Sequence, residues 1–245
     1  MPPAILVNII LFSPAEVELP LPRRDPRARH ILEVLRRKPG ETLDAGLING
    51  PRGKATLRAV TGDALVLSYA WGAAPPPLPP LRVIVGLPRP QSARDLLREG
   101  ASLGVAALDF VATERAEPSY GRSSLWASGE WKNLLIAGAA QAFCTRLPTV
   151  EHGRTLAETV ASLQADGARI ALDNYEASAA LREVELAGPP AVTLALGAER
   201  GWSAAERKLL LQHGFLAAHL GERVLRTETA FISAVTLIKA RLGWA

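Results

Sequence analysis

The sequence predicts an α/β protein in two parts: a small β-barrel or sandwich of about 70 residues, then a larger domain on a largely parallel sheet. Three observations predict it. Residues 1–72 hold short β-like segments between closely spaced turn signals, residues 81–245 alternate strand-like and helix-like segments, and Ala73-Ala-Pro-Pro-Pro-Leu-Pro-Pro80 lies between them. Five prolines in eight residues cannot join a helix ladder or a central strand. They favour a stiff polyproline II linker over residues 73–80.

In the first part, the apolar run from Ile5 to Phe12 reads as a strand. It has no basic segment ahead of it, and it falls short of the roughly 18 apolar residues of a membrane span. Pro26 to Arg37 reads as a helix. Thr42 to Ile48, Lys54 to Val60 and Ala64 to Tyr69 read as further strands, punctuated by Pro39-Gly40, Asn49-Gly50 and Gly62-Asp63. Beyond the linker come a strand at Arg82 to Leu87, a helix at Ser92 to Leu103, a strand at Leu108 to Thr113 and a long helix from Ser124 to Phe143. Strands at Arg169 to Asp173, Ala191 to Leu196 and Phe215 to Leu220 follow, with a last helix from Glu228 to Leu242. Ala230, Phe231, Ala234, Val235, Leu237, Ile238 and Leu242 give that helix a broad apolar face.

Composition narrows the classes. With 245 residues, 48% of them hydrophobic, the chain can bury a full core without staples. Its one cysteine, Cys144, excludes an intramolecular disulfide and cannot alone build a structural zinc site of about four ligands, so no metal is expected. A reducing cytoplasm and a membrane-free life fit this best. Cys144 reads as a small buried apolar residue, since no histidine lies near it in sequence. Residues 1–72 carry 10 basic and 7 acidic side chains, whereas residues 73–245 are nearly balanced. Most of the excess lies in Arg23, Arg24, Arg27, Arg29, Arg36, Arg37 and Lys38, opposed only by Asp25 and Glu33. This is either a phosphate-binding footprint or a solvated basic helix face.

Parallel sheets bind ligands at the carboxyl ends of their strands, which directs attention to the loops after Asp173, Leu196 and Leu220. The second loop contains Gly197 and Gly201 and ends in a capping box, Ser203 with Glu206. It is neither a dinucleotide fingerprint nor a Walker loop, so an ordinary strand-to-helix turn and a ligand loop both remain open. The third loop opens the last helix, with Thr227 as candidate N-cap and Glu228 in the first turn. Arg226 stands where a cation opposes the helix dipole. It is either a functional cation or the ion-pair partner of Glu199 or Glu228.

Leu220-Gly-Glu-Arg-Val-Leu-Arg-Thr-Glu-Thr-Ala230, the upstream Leu196-Gly-Ala-Glu-Arg-Gly201 and the N-terminal Arg29-His-Ile-Leu-Glu-Val-Leu-Arg-Arg-Lys-Pro-Gly40 together resemble the RsmE-type 16S ribosomal RNA uridine-N3 methyltransferases of the SPOUT class. The likeness runs in the same order over essentially the whole chain. Leu103-Gly104-Val105, Glu114-Arg115, Ser119-Tyr120, Gln141 and Leu147-Pro148 support it.

The resemblance implies a PUA-like RNA-binding β-barrel over residues 1–72, then a homodimeric SPOUT α/β domain over 81–245 with a C-terminal trefoil knot. It also implies S-adenosyl-L-methionine as cofactor and ribosomal RNA of the small subunit as substrate. Carried over, the cofactor pocket comprises Leu172, Asp173, Asn174, Leu196, Gly197, Ala198, Glu199, Gly201, Leu220, Gly221, Val224, Leu225, Arg226 and Thr227. The basic segment from Arg23 to Lys38 would contact phosphates, with His30 either stacking on a base or packed in its helix. Uridine N3 carries a proton at neutral pH, so the reaction needs that proton removed or charge on the flanking carbonyls stabilised. Arg226 leads for stabilisation, with Arg115 or Arg146 reaching in from a dimer partner. Glu199 is the candidate base or orienter, and Glu228 the alternative.

Some residues depart from the family pattern. Its usual Gly-Pro-Glu-Gly-Gly loop is Gly197-Ala-Glu-Arg-Gly201 here, so Arg200 would be strained if that glycine needs positive φ. Glu99-Gly-Ala-Ser-Leu-Gly104 lacks a lysine and a glutamate of the family, and Ala140, Phe143 and Cys144 replace polar residues around Gln141. The opening Pro2-Pro-Ala-Ile5 lacks the common basic-aromatic start. These departures keep two alternatives in view: a SPOUT methyltransferase with another RNA target, and a non-catalytic RNA-binding paralogue.

Overall fold

The structure is a computed structural model that describes residues 9–164, 166–186 and 191–244. It falls into two compact units. One comprises the chain up to Pro77 together with Ile136–Leu147; the other comprises Leu78–Leu135 and the chain from Pro148 onward. The linear division of the sequence had no place for the return of Ile136–Leu147 to the first unit.

The first unit carries a five-stranded sheet of order β1-β3-β4-β5-β2, with β1 at Ile10–Phe12, β2 at Leu21–Pro22, β3 at Thr42–Leu47, β4 at Arg52–Val60 and β5 at Ala64–Trp71. β1 runs parallel to β3, and the other pairings are antiparallel. Of the strand expected from Ile5 to Phe12, Ile10–Phe12 is observed and residues 5–8 lie outside the described residues, as do Pro2 to Ile5. Asn49, at φ 59°, occupies the Asn-Gly turn between β3 and β4.

The expected helix from Pro26 to Arg37 is shorter. Asp25 caps α1 (Pro26–Arg29) by accepting from the Arg27 amide at 2.8 Å, and a single π turn, His30–Val34, follows. Arg36 then turns left-handed, at φ 52°, and helical pairing ends. Ile10, Phe12, Ile31, Leu43, Leu57 and Leu65 form one side of the core. On the other, Ile9 and Leu11 pack with Ala139, Ile136 and Phe143 of the returning segment. Thr145 Oγ1 donates to the Gly50 carbonyl at 2.6 Å, and Arg52 donates to the Phe143 carbonyl at 3.2 Å. Phe143, which departs from the family pattern, thus packs half-buried against the core of this unit, at φ 54°.

The second unit carries a seven-stranded sheet of order β10-β12-β9-β11-β6-β7-β8 in which every pairing is parallel. Its strands are β6 (Leu81–Gly86), β7 (Ala107–Ala112), β8 (Thr149–Thr155), β9 (Ala168–Leu172), β10 (Ala179–Ala180), β11 (Val192–Leu196) and β12 (Leu216–His219). The helices are α2 (Pro90–Ser102), α3 (Ser124–Ala127), α4 (Glu130–Gln141, whose last turns enter the first unit), α5 (Leu156–Ala161), α6 (Ala204–Gln212) and α7 (Thr227–Arg241). Central strands are nearly continuous apolar runs, as burial on both faces requires; Val83, Ile84, Val85, Leu194 and Ala195 are all fully buried. α7 buries Phe231, Ala234, Val235 and Ile238.

Two helix expectations are corrected. The single helix from Ser124 to Phe143 is two, because Gly129 takes φ 75° and breaks the ladder before Glu130 restarts it. Thr227 is the first residue inside α7 rather than its cap, a place taken by Arg226. Among the described residues no helix is long and apolar enough to cross a membrane.

Candidate active site

Strand register brings the site together. Leu172 of β9 lies opposite Leu196 of β11 on one side and Ala218 of β12 on the other, so three strands end side by side. The loops that leave them line one open cleft. Of the residues expected there, Leu172, Asp173, Asn174, Leu196, Gly197, Ala198, Glu199, Gly201, Leu220, Val224, Leu225 and Thr227 line it. Gly221 and Arg226 belong to the same loop but not to the cleft wall. Tyr175, Arg200, Trp202, Arg207 and Ala230 complete the lining; Tyr175, Trp202, Arg207 and Ala230 carried no sequence signal for this pocket.

Glycines shape the cleft where nothing larger fits. A Cβ on Gly197 would stand 2.8 Å from the Gly201 Cα, and one on Gly86, at the end of β6, 2.5 Å from the Ala198 nitrogen. Both obstacles are backbone, so the loop itself would have to move. Positive φ falls on Gly201, at 65°, and not on Arg200. The strain expected of Arg200 is absent, because the residue that needs the left-handed conformation is still glycine.

Neighbouring elements fix the loop after β11 at several points. The Trp202 indole N–H donates to the Leu172 carbonyl at 3.1 Å, tying the loop to the end of β9. Arg115 donates to the Arg200 carbonyl at 2.9 Å, and Glu199 accepts from the Arg89 amide at 2.9 Å. The expected capping box starts α6: Ser203 and Glu206 bond each other's amides at 2.8 and 3.1 Å. The second oxygen of Glu206 accepts from the Glu114 amide at 2.8 Å, so one buried carboxylate secures two loops.

The charged candidates are placed differently from one another. Arg226 is an exposed N-cap residue whose side chain makes no capping bond. The ion pair considered for Arg226 and Glu199 does not form, since Glu199 is engaged by Arg89, with 3.9 Å from Arg89 Nε to Oε1. Burial pushes the Glu228 carboxyl up, but Ser92, its own amide and the charges of Arg89 and Arg226 outweigh that and leave its pKa below the ordinary value. Such a carboxylate is ionised but a poor proton acceptor. Burial also pushes the Asp173 carboxyl up, while Arg207 and the Tyr175 and Glu176 amides bring it below its ordinary value. Arg146 lies in the first unit, donating to the Asn49 and Pro75 carbonyls at 2.9 and 2.8 Å.

The basic segment is also divided. Arg23, Arg24, Arg29, Arg36 and Lys38 are exposed, while Arg37 and His30 are half-buried. Arg27 is occupied internally, bonding Asp25, Glu16 and the Leu11 carbonyl and lying over the Phe12 ring. Arg27 is therefore set apart from the exposed Arg23, Arg24, Arg29, Arg36 and Lys38.

Residues 75–239 match the RNA methyltransferase domain family, which defines the class to which this sheet and its strand-end cleft belong. Ribosomal RNA small subunit methyltransferase E of Treponema pallidum (strain Nichols) is 36% identical, covering 96% of this chain and 91% of its own length. The chain belongs to the ribosomal RNA small subunit methyltransferase E family. Among solved structures, a Legionella pneumophila protein described as a methyltransferase with the cofactor SAM bound is similar with a TM-score of 0.79 and 26% identity, over 96% of this chain and 98% of that one. Ribosomal RNA small subunit methyltransferase E from Neisseria gonorrhoeae, bound to S-adenosyl methionine, shares the fold with a TM-score of 0.75 at 21% identity, over 95% of this chain and 98% of that one.

Proposed function

We propose that the protein is an S-adenosylmethionine-dependent methyltransferase that modifies N3 of a uridine in 16S ribosomal RNA, working in the cytoplasm as a homodimer. The observation that carries this reading is the single cleft formed where the loops after β9, β11 and β12 meet. The cleft suits the cofactor: Leu196, Leu220 and Leu225 offer apolar walls to adenine, and the Gly197 to Gly201 turn lets backbone approach closely. The parallel order that sets β12 between β10 and β9, and β11 between β9 and β6, supports a SPOUT-type knotted domain. The five-stranded first unit supports a PUA-like module, and its exposed arginines a phosphate footprint. Exposed Leu216, Val224 and Ile232 support self-association of the second unit.

When bound, S-adenosylmethionine supplies an electrophilic methyl group. The chain's own contribution is positioning and charge. Glu199, oriented by the Arg89 amide, takes or directs the N3 proton, while Arg226, with Arg115 reaching in from a dimer partner, stabilises negative charge on the uracil carbonyls; within its own chain one Arg115 nitrogen holds the Arg200 carbonyl. Arg146 is left out, because its guanidinium already serves two carbonyls of the first unit. Titration calorimetry of the purified protein with S-adenosylmethionine and S-adenosylhomocysteine tests the reading, followed by nucleoside mapping of treated small subunits. Binding of both and 3-methyluridine at one position are expected. A folded protein that binds neither, or a methyl group on another atom, would overturn it.

A further inference from the structure

Tyr175 leaves 75% of its surface in water although it lines the cleft. The backbone that carries it is nonetheless fixed. The Asp173 carboxylate accepts from the Tyr175 amide at 2.7 Å and from the Glu176 amide at 3.2 Å, which sets the turn. The Arg207 guanidinium lies 5.6 Å from the ring centroid, and Arg207 is itself only 16% exposed and bound to Asp173 and Glu176. The ring therefore lies against a half-buried, ion-paired cation while most of its surface stays in water. The ring edge stands 4.0 Å from where a Gly201 Cβ would be, beside the turn that carries Glu199 and Arg200. The fold thus presents an exposed aromatic ring beside the turn after β11.

We propose that Tyr175 is a stacking platform for a base of the RNA substrate, at or beside the modified nucleotide. The proposal rests on the methyltransferase reading and names how its site holds RNA. One feature favours RNA over the cofactor, and two more suit the ring to stacking. The apolar walls that suit adenine, Leu196, Leu220 and Leu225, are buried or half-buried, whereas Tyr175 is largely exposed. A uridine must be unstacked before N3 is reachable, and an unstacked base is stabilised by an aromatic face, whatever its identity. The Arg207 contact also restricts the ring before a base arrives, which lowers the entropy lost on stacking.

The test uses the full chain with unmethylated small ribosomal subunits, comparing Tyr175→Ala, Tyr175→Phe and Tyr175→Trp. Calorimetry with S-adenosylhomocysteine is run beside methyl-transfer kinetics. Tyr175→Ala should raise KM for the subunit by roughly tenfold, as loss of one stacked base implies, and leave cofactor affinity within about twofold. The Phe and Trp variants should keep the original KM. Subunits carrying 5-iodouridine should, on irradiation, cross-link to Tyr175, as read by mass spectrometry. Cofactor binding weakened in Tyr175→Ala with KM for the subunit unmoved would assign the ring to adenine and overturn the proposal. An alanine variant equal to the parent in both readouts would do the same. A parent protein that neither binds cofactor nor transfers methyl would instead sink the methyltransferase reading itself.

Discussion

Arg226 caps α7 with a β-region backbone and no capping hydrogen bond, so local helix physics gains nothing from it. Replacing it tests a catalytic part cleanly. Arg226→Ala should lower methyl transfer by roughly a hundredfold, the scale of losing one charge-stabilising group, with folding and S-adenosylhomocysteine affinity unchanged; undiminished turnover would remove it from the mechanism. Gly197→Ala should act on the other half of the reaction. Its new Cβ meets backbone at 2.8 Å, so cofactor affinity should fall by about tenfold or more, which the same calorimetry reads. At this scale the glycines and leucines of the cleft were legible, because they lie in contiguous loops. Tyr175 and Arg207 were not: they reach the cleft through a side-chain clamp onto Asp173 that joins a loop to a helix thirty-odd residues away, and no spacing rule encodes it.

Secondary-structure elements were legible where burial is one-sided or complete, and illegible where it is slight. β6, β7, β9 and β11 announced themselves as apolar runs, but β8, Thr-Val-Glu-His-Gly-Arg-Thr, lies at a sheet edge with mostly exposed residues and so carries no apolar period. The broken helix at Gly129 failed for a different reason: tertiary packing of the buried Leu125 and Trp126 holds a short helix that propensity alone would have merged with the next. α6, by contrast, was marked by Ser203 and Glu206, and the structure adds that Glu206 also holds the Glu114 amide. Glu206→Ala should therefore cost more than an ordinary cap, about 2 kcal/mol, measured by denaturant unfolding. A loss of a few tenths would mean that water replaces the carboxylate at both amides.

Across the whole molecule, the basic cluster of the sequence divides into an internally paired Arg27 and a set of exposed cations. The Arg27 guanidinium beside Glu16, working against burial, lowers that carboxyl from its ordinary 4.5 to about 2. A lowered pKa means that the stabilisation is complete above pH 4.5 and is lost as pH falls from there towards 2. It amounts to about 1 kcal/mol once solvent screening is allowed for. Acid unfolding of the first unit should begin at higher pH in the parent than its neutral stability implies, and Glu16→Gln should flatten that dependence. The exposed Arg23, Arg24, Arg29, Arg36 and Lys38 should instead govern RNA affinity, which would fall steeply with added salt. Arg29→Ala with Arg36→Ala should make that slope shallower in filter binding without moving the acid transition.

The return of Ile136–Leu147 to the first unit also bears on how the chain is made. During synthesis the N-terminal sheet is fully translated by Trp71, yet the partners of Ile9, Leu11 and Ile48 emerge only with residues 136–147. At about 5–20 residues per second the nascent sheet waits several seconds with one apolar face uncovered. A ribosome-bound chain stalled before this segment should recruit chaperone, and one stalled well beyond Leu147 should release it.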